Sequence, residues 1–255
     1  MTQNKRYQTT PYLYERILMQ DISNIGLKTP SGFSFWELDI TDIHQKVREL
    51  EKKNGVKISL TIYLLYCFIQ TINQHKHTQG IKSWWNKKYV YNDIDLCIPI
   101  ELSNKTLDPK IIRKANYKSI FELRKDILNA QKSKKVKLAY WQKCFLYFPG
   151  FLKKIGYGIV LSTPLFRKHI FGTAYFSSLY LRSSVSISYQ PIPLHPIGML
   201  LGSIEKREVI ENGKISIREI MPITNSMDHR INDGVCLHNF VNSLHKNIKE
   251  LILDL

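Results

Sequence analysis

A single α/β domain is the fold class this sequence predicts, and three observations carry it. Runs that alternate apolar and polar residues recur along the chain, as strands do when one face is buried. Between them lie stretches with apolar residues at steps of three and four, the pattern of helices with one buried face. The 255 residues are 44% hydrophobic and 23% charged, enough for one substantial core, and no repeat, linker or low-complexity stretch divides them. Residues 1–255 are accordingly read as one domain.

The first strand is residues 32–41, aromatic-rich and roughly alternating. Thr41 stands where an N-cap belongs, Ile43, Val47 and Leu50 follow at helical spacing, and Asn54-Gly55 stops that helix. Residues 59–73 are apolar nearly all round, which predicts a buried helix. Residues 90–101 alternate around Ile94, Leu96, Ile98 and Ile100, a second strand. Ser119 is placed to cap a short amphipathic helix over 119–131. In residues 138–165, Tyr140, Trp141, Phe145 and Phe148 mix with Lys143, Lys153 and Lys154 around Pro149-Gly150. That stretch is read as a hydrophobic hairpin packed on the domain, with a membrane-interface or partner-binding element as the alternative. Residues 173–178, 183–189, 199–207 and 214–220 are further strands, the last two joined by the turn Glu211-Asn212-Gly213. Leu237, Phe240, Val241, Leu244, Ile248 and Leu251 define an amphipathic C-terminal helix, preceded by Asp233, whose carboxylate can accept first-turn N–H groups.

No segment reaches the ~18 consecutive apolar residues that a membrane-spanning helix needs; the longest candidate, residues 60–72, is interrupted by Thr61, Gln70 and Thr71. The first residues are polar and lack the apolar stretch of a secretory signal. Cys67, Cys97, Cys144 and Cys236 are scattered, without CxxC or zinc-ligand spacing, which predicts free thiols in a reducing cytoplasm. Lys and Arg number 37 against 21 Asp and Glu, a formal net charge of +16. The excess concentrates between Lys105 and Lys154, where fourteen basic residues face only Asp108, Glu122 and Asp126. Such a density either attracts a polyanion (a phosphorylated small molecule, nucleic acid or an anionic membrane) or is a solvated lysine face. No nucleic-acid module accompanies it, so nucleic acid is not expected as a partner. His75 and His77 share a predicted strand face without a third ligand, so no metal is expected. Gly156-Tyr157-Gly158 lacks the third glycine of a nucleotide fingerprint.

The sharpest local feature is Asp228-His229-Arg230-Ile231-Asn232-Asp233-Gly234, where a strand runs into the last helix. A histidine at such a junction is held by backbone on both sides and can face a cleft. Near neutral pH an imidazole takes a proton from a thiol or hydroxyl and returns it. Histidines in such turns are also commonly satisfied polar residues with no chemistry. His195, between Leu194 and Pro196, is read as structural.

The segment resembles the DHRxxDG signature of the dihydrolipoamide acyltransferase catalytic domains of 2-oxo acid dehydrogenase complexes. It is similar, too, to the HxxxDG form of chloramphenicol acetyltransferases, which share their fold. Residues 172–179 resemble the family's GTFTISNL strand, residues 191–202 its proline-rich turn into an ILG strand, and Asn212-Gly213-Lys214 its penultimate hairpin. Residues 37–41 resemble its first strand and 95–101 its NIGVAVD strand. The resemblance implies a chloramphenicol acetyltransferase-like two-layer sandwich, a mixed β-sheet packed with helices.

It further implies a CoA-dependent acyltransferase in which His229 is the general base toward a thiol, hydroxyl or amine acceptor. Ser177 falls where the family places the hydroxyl that stabilises the tetrahedral oxyanion, an interaction worth about 3 kcal/mol of barrier. By the same resemblance Asp233 orders the turn, Arg16 pairs with that aspartate, and Asp228, Arg230 and Gly234 support the site. Acyl-CoA enters as a substrate, no tightly bound cofactor is implied, and the acceptor stays open. A homotrimer with active sites between subunits is implied, so that His229 and Ser177 come from different chains. Departures from the family are Ser178 and Tyr180 in place of its Asn and Gly beside the serine, and the long 138–165 stretch. No lipoyl domain, subunit-binding domain or Ala/Pro linker is read before the domain. The expectation is therefore a stand-alone cytoplasmic acyltransferase, with a catalytically silent trimeric scaffold or binding module as the alternative. Peripheral membrane or partner contact through 138–165 is compatible with both.

Overall fold

The alternating runs assemble into one seven-stranded mixed sheet packed with helices. The computed structural model describes residues 9, 14–27, 29–83, 85–101, 107–132, 147–178, 185–211 and 213–250. In chain order these hold α1 (Tyr14–Gly26), β1 (Ser31–Asp39), α2 (Thr41–Asn54), α3 (Leu60–Gln74), the short pair β2 (Ile81–Lys82) and β3 (Lys88–Tyr89), β4 (Leu96–Glu101) and β5 (Leu107–Ile112). Then come α4 (Ile120–Gln131), α5 (Gly150–Ser162), α6 (Pro164–Phe171), β6 (Ala174–Ser178), β7 (Ile197–Leu201), β8 (Glu205–Glu211), β9 (Lys214–Asp228) and α7 (Gly234–Glu250). The sheet runs β1-β9-β7-β6-β4-β5, with β8 on the first half of β9. β6 is parallel to β4 and β7; the other pairings are antiparallel.

α3 is apolar all round because it is enclosed, with ten of its fifteen residues buried between the sheet and its neighbouring helices. Phe68 at its centre meets Phe176 of β6 and Phe240 of α7 at ring-centroid distances of 6.3 and 6.0 Å. A fully buried ring of this size contributes roughly 1.5–3 kcal/mol. Polar groups in this layer are paired. Tyr63 Oη donates to the Ile248 carbonyl at 2.6 Å, and Asn247 Nδ2 donates to Thr71 Oγ1 at 2.8 Å. Ser59 and Ser119 cap α3 and α4, the latter through a reciprocal capping box with Glu122.

The structure corrects several readings. Thr41 is the first residue of α2 rather than its cap: Asp39 Oδ1 accepts the Thr41 N–H, and Thr41 Oγ1 accepts the Glu219 N–H. The strand expected over 90–101 begins only at Leu96, because Asp95 is committed to holding other segments. Its carboxylate takes Arg113 Nη1 and the Lys114 N–H, and its carbonyl takes the Thr173 N–H. Gly172 passes so close to that carbonyl, at φ +81°, that a Cβ would lie 2.6 Å from the oxygen. Residues 185–189 form no strand; Ile187 and Ser203 hold that segment against the sheet. His75 and His77 lie at the end of α3 and in the turn after it, not on a strand, and His75 Nε2 is 2.8 Å from Ser243 Oγ. In place of a hairpin, the described part of 138–165 is helical; residues 138–146 lie outside the described residues. Helix α1 and strand β5 were not foreseen. Cys67, Cys97 and Cys236 are free thiols, the first two buried and pushed up to about 12 by burial; Cys144 lies outside the described residues.

Candidate active site

The last eight residues of β9, Met221 to Asp228, are all buried, so the turn that follows leaves from the middle of the domain. Backbone bonds fix it from both sides. Asp228 N–H donates to the Pro196 carbonyl at 2.8 Å and His229 N–H to the Pro30 carbonyl at 2.9 Å. Ile231 and Asn232 N–H both turn back onto the Asp228 carbonyl. The Asp228 carboxylate is fully buried and accepts three bonds from Arg230: its N–H at 3.0 Å, Nε at 2.9 Å and Nη2 at 2.6 Å. That fork holds the Arg230 guanidinium above its ordinary range and braces the turn across His229. Asp233 Oδ1 accepts the Cys236 N–H at 2.9 Å, which caps α7 and holds the carboxyl below its usual range. Arg16 is exposed on α1, and among the described residues it does not pair with Asp233. A Cβ added at Gly234 would meet nothing within 4 Å, so that glycine is not required by sterics.

His229 itself is exposed, and among the described residues its ring nitrogens have no hydrogen-bond partner. Its ring lies over Gly32 of β1: a Cβ there would stand 3.4 Å from His229 Cδ2 and 3.8 Å from Leu237 Cδ2. The absent side chain of Gly32 thus makes the bed for the imidazole on the helix side of the sheet.

Ser177 sits elsewhere. In β6, Ala174 and Phe176 point into the helix-covered core, so Tyr175 and Ser177 occupy the other face. Register places Ser177 level with Leu200 of β7 and Thr224 of β9. His229 is five residues further along β9, roughly 16 Å at the rise of an extended strand, and two strands across. Within one chain, therefore, the two side chains are too far apart to meet at one reacting carbonyl. Tyr189 Oη donates to Ser177 Oγ at 3.5 Å, and Ser177 also hydrogen-bonds the phenol of Tyr175, opposing the rise that burial gives that phenol. Ser178 is the last residue of β6, while Tyr180 lies outside the described residues.

Behind the turn is a charged group that sequence reading missed. Arg167 of α6 is 4% exposed and donates through Nη2 to the Leu194 carbonyl at 3.0 Å. Burial lowers its pKa, and the carboxylate of Asp228 is the first influence opposing that. His195 donates from Nε2 to the Phe171 carbonyl at 2.8 Å and stacks on Tyr175 at 5.3 Å, a structural placement. Burial pushes His195 down to about 4, the Phe171 bond opposing this and the Arg167 charge adding to it. It is then neutral when folded and protonates first when unfolded, so its stabilising contribution is complete above about pH 6.5 and is lost as pH falls toward 4. We expect wild-type stability to drop by about 3 kcal/mol more than that of His195→Gln between pH 7 and 4, measured by urea unfolding. Equal slopes would remove His195 from the account.

The sheet order and helix layer are those of the acyltransferase cores of 2-oxo acid dehydrogenase complexes and of chloramphenicol acetyltransferase. The structure matches a Listeria monocytogenes probable dihydrolipoamide acetyltransferase with TM-score 0.72 at 19% identity, over 96% of this chain and 95% of that one. It matches chloramphenicol acetyltransferase with TM-score 0.52 at 14% identity, over 94% and 100%. In sequence, residues 195–253 match the family of 2-oxoacid dehydrogenases acyltransferase (catalytic domain). The chain is 22% identical over 220 residues to the dihydrolipoyllysine-residue acetyltransferase component of the pyruvate dehydrogenase complex of Rickettsia prowazekii, covering 85% of this chain and 47% of that protein. For the Mycoplasma pneumoniae protein of the same description the figures are 25% over 206 residues, 78% and 44%. The chain thus spans less than half the length of these relatives. It is similar to these acyltransferase catalytic domains in sequence over residues 195–253 and in fold over nearly its whole length.

Proposed function

We propose that the chain transfers an acyl group between CoA and a thiol, hydroxyl or amine acceptor at a site shared by two copies of the chain. The observation that carries the reading is the exposed imidazole of His229 on a turn whose Asp228, His229, Arg230, Ile231 and Asn232 N–H groups are all hydrogen-bonded. His229 takes the acceptor proton as the acceptor heteroatom adds to the thioester carbonyl. The oxyanion accepts a hydrogen bond from Ser177, and collapse expels the CoA thiolate, which regains the proton from His229. Asp233 orders the start of α7 beside the site, and no metal is invoked. Spacing supports the pairing. His229 follows Ser177 by 52 residues and precedes Asp233 by four; in the Azotobacter vinelandii dihydrolipoamide acetyltransferase, a serine, histidine and asparagine investigated for their role in catalysis stand at the same intervals.

The distance between His229 and Ser177 within one chain supports a homo-oligomer, a trimer by analogy, in which one copy brings the base and its neighbour the hydroxyl. Mixing decides it. His229→Ala and Ser177→Ala chains, each nearly inactive alone, should regain about a quarter of wild-type activity when refolded together one to one, since that share of shared sites pairs two intact residues at random. No recovery would return both residues to one chain. Titration calorimetry with CoA and acetyl-CoA separates this from the silent scaffold: we expect saturable binding that weakens with salt, as phosphates near the basic 105–154 region would give. Part of that region is already neutralised, by Lys110–Asp108, Arg113–Asp95 and Lys153–Asp21 pairs. Absence of binding by a folded oligomer would favour the scaffold.

A further inference from the structure

Helix α5 has no buried residue, although it is rich in apolar side chains. It is held by its polar side. Lys153 Nζ lies 3.0 Å from both carboxylate oxygens of Asp21 on α1, and Tyr157 Oη, one turn on, donates to the same group at 3.4 Å. Burial, then the Asp21 charge, raises the Tyr157 phenol so that it stays a donor. With those two side chains turned to α1, the helical repeat puts Phe151, Leu152, Ile155 and Ile159 on the opposite side, 39–64% exposed. Leu165 and Phe166 of α6 extend the surface, at 77% and 56%.

The sequence that holds α5 and α6 is free of acidic residues. No aspartate or glutamate occurs between Asp126 and Glu205, a span that holds ten lysines and arginines. Lys154, beside the apolar stripe, has no carboxylate partner among the described residues. Lys153 is paired with Asp21, Lys168 with Asp93, and Arg167 is buried, so Lys154 is the cation that α5 and α6 present outward. An outward apolar stripe beside it, on a chain of formal net charge +16, fits a surface that is both apolar and anionic. We propose that the α5–α6 face docks peripherally on an anionic lipid surface, the stripe entering the headgroup boundary and Lys154 meeting phosphate. Among the described residues no helix is long and apolar enough to cross a membrane, so the contact stays at the interface.

The test sediments the full chain with vesicles of phosphatidylcholine alone and of phosphatidylcholine mixed with phosphatidylglycerol, at low and high salt. Phe151→Ser/Ile155→Ser and Lys154→Glu change exposed positions, and thermal melts check that both variants fold. Expected is binding to the anionic vesicles alone, reduced by salt, at least about tenfold weaker in the double variant and severalfold weaker in Lys154→Glu. CoA binding in solution should be the same in wild type and in the Phe151→Ser/Ile155→Ser variant, which keeps this proposal separate from the catalytic one. No binding to anionic vesicles, or undiminished binding by the double variant, would overturn it. So would a fall in oligomeric mass in the double variant without vesicle binding, which would assign the face to a second copy.

Discussion

His229→Ala should lower turnover about 10²–10⁴-fold, the range a positioned general base contributes, while leaving the fold and CoA affinity nearly unchanged. The separation of effects follows from the site's construction. The ring is exposed and rests on Gly32, so its removal opens no buried void, and stability should stay within about 0.5 kcal/mol of wild type. The turn is kept by the His229 N–H on the Pro30 carbonyl and by the Asp228–Arg230 fork, neither of which uses the imidazole. Release of the CoA thiol from acetyl-CoA in the presence of an acceptor reads the first quantity, and calorimetry the second. Near-normal turnover in the variant would end the proposed mechanism, whatever the fold.

Much of this site was legible because it is local. The DHRINDG run, the cap at Asp233 and the amphipathic helix after it are written in consecutive residues, and α3 announced its burial by being apolar all round. What escaped reading depends on distant partners. The strand over 214–220 and the one that runs into the Asp228 turn are a single strand, β9, which passes through Pro222 although proline cannot donate to a ladder. Pro222 is tolerated because β9 changes neighbours there, from β8, whose pairing ends at Ile220, to β7, whose pairing begins at Ile223; only the Pro222 carbonyl is used, by Gly202 N–H. Pro99 in β4 is permitted likewise, since β6 reaches only Leu96 and Cys97. Helix α5 looked like a hairpin because Gly150, Gly156, Gly158 and its aromatics disfavour a helix locally. Its conformation is set with Asp21, about 130 residues away in sequence. Arg167 stands beside Lys168 in an amphipathic segment, and nothing in the pattern says that one is buried and the other salt-bridged to Asp93.

That hidden arginine makes Asp228→Ala the costliest single change expected outside the chemistry. Arg230 is about one-third exposed and can turn to water if its partner is removed. Arg167 cannot, because it is buried on the inner side of α6 with the Leu194 carbonyl as its one hydrogen-bond acceptor among the described residues, and the Asp228 charge is the first influence offsetting its burial. Asp228 and Arg167 are not in ion-pair contact, so the loss is that of the Arg230 fork together with the charge that offsets the burial of Arg167, about 1–3 kcal/mol. For a chain of this size that corresponds to a melting temperature lower by roughly 2–12 °C. If the stranded guanidinium is the cause, Arg167→Leu should cost less in the Asp228→Ala background than in wild type, a coupling of at least about 1 kcal/mol in a double-mutant cycle. Additive losses would mean that Asp228 stabilises the chain only by bracing its own turn. In either case turnover should fall with Asp228→Ala, because the fork to Arg230 is what holds the two residues flanking His229 in register. Coupling to Arg167 would show in addition that α6 and the catalytic turn share one electrostatic unit.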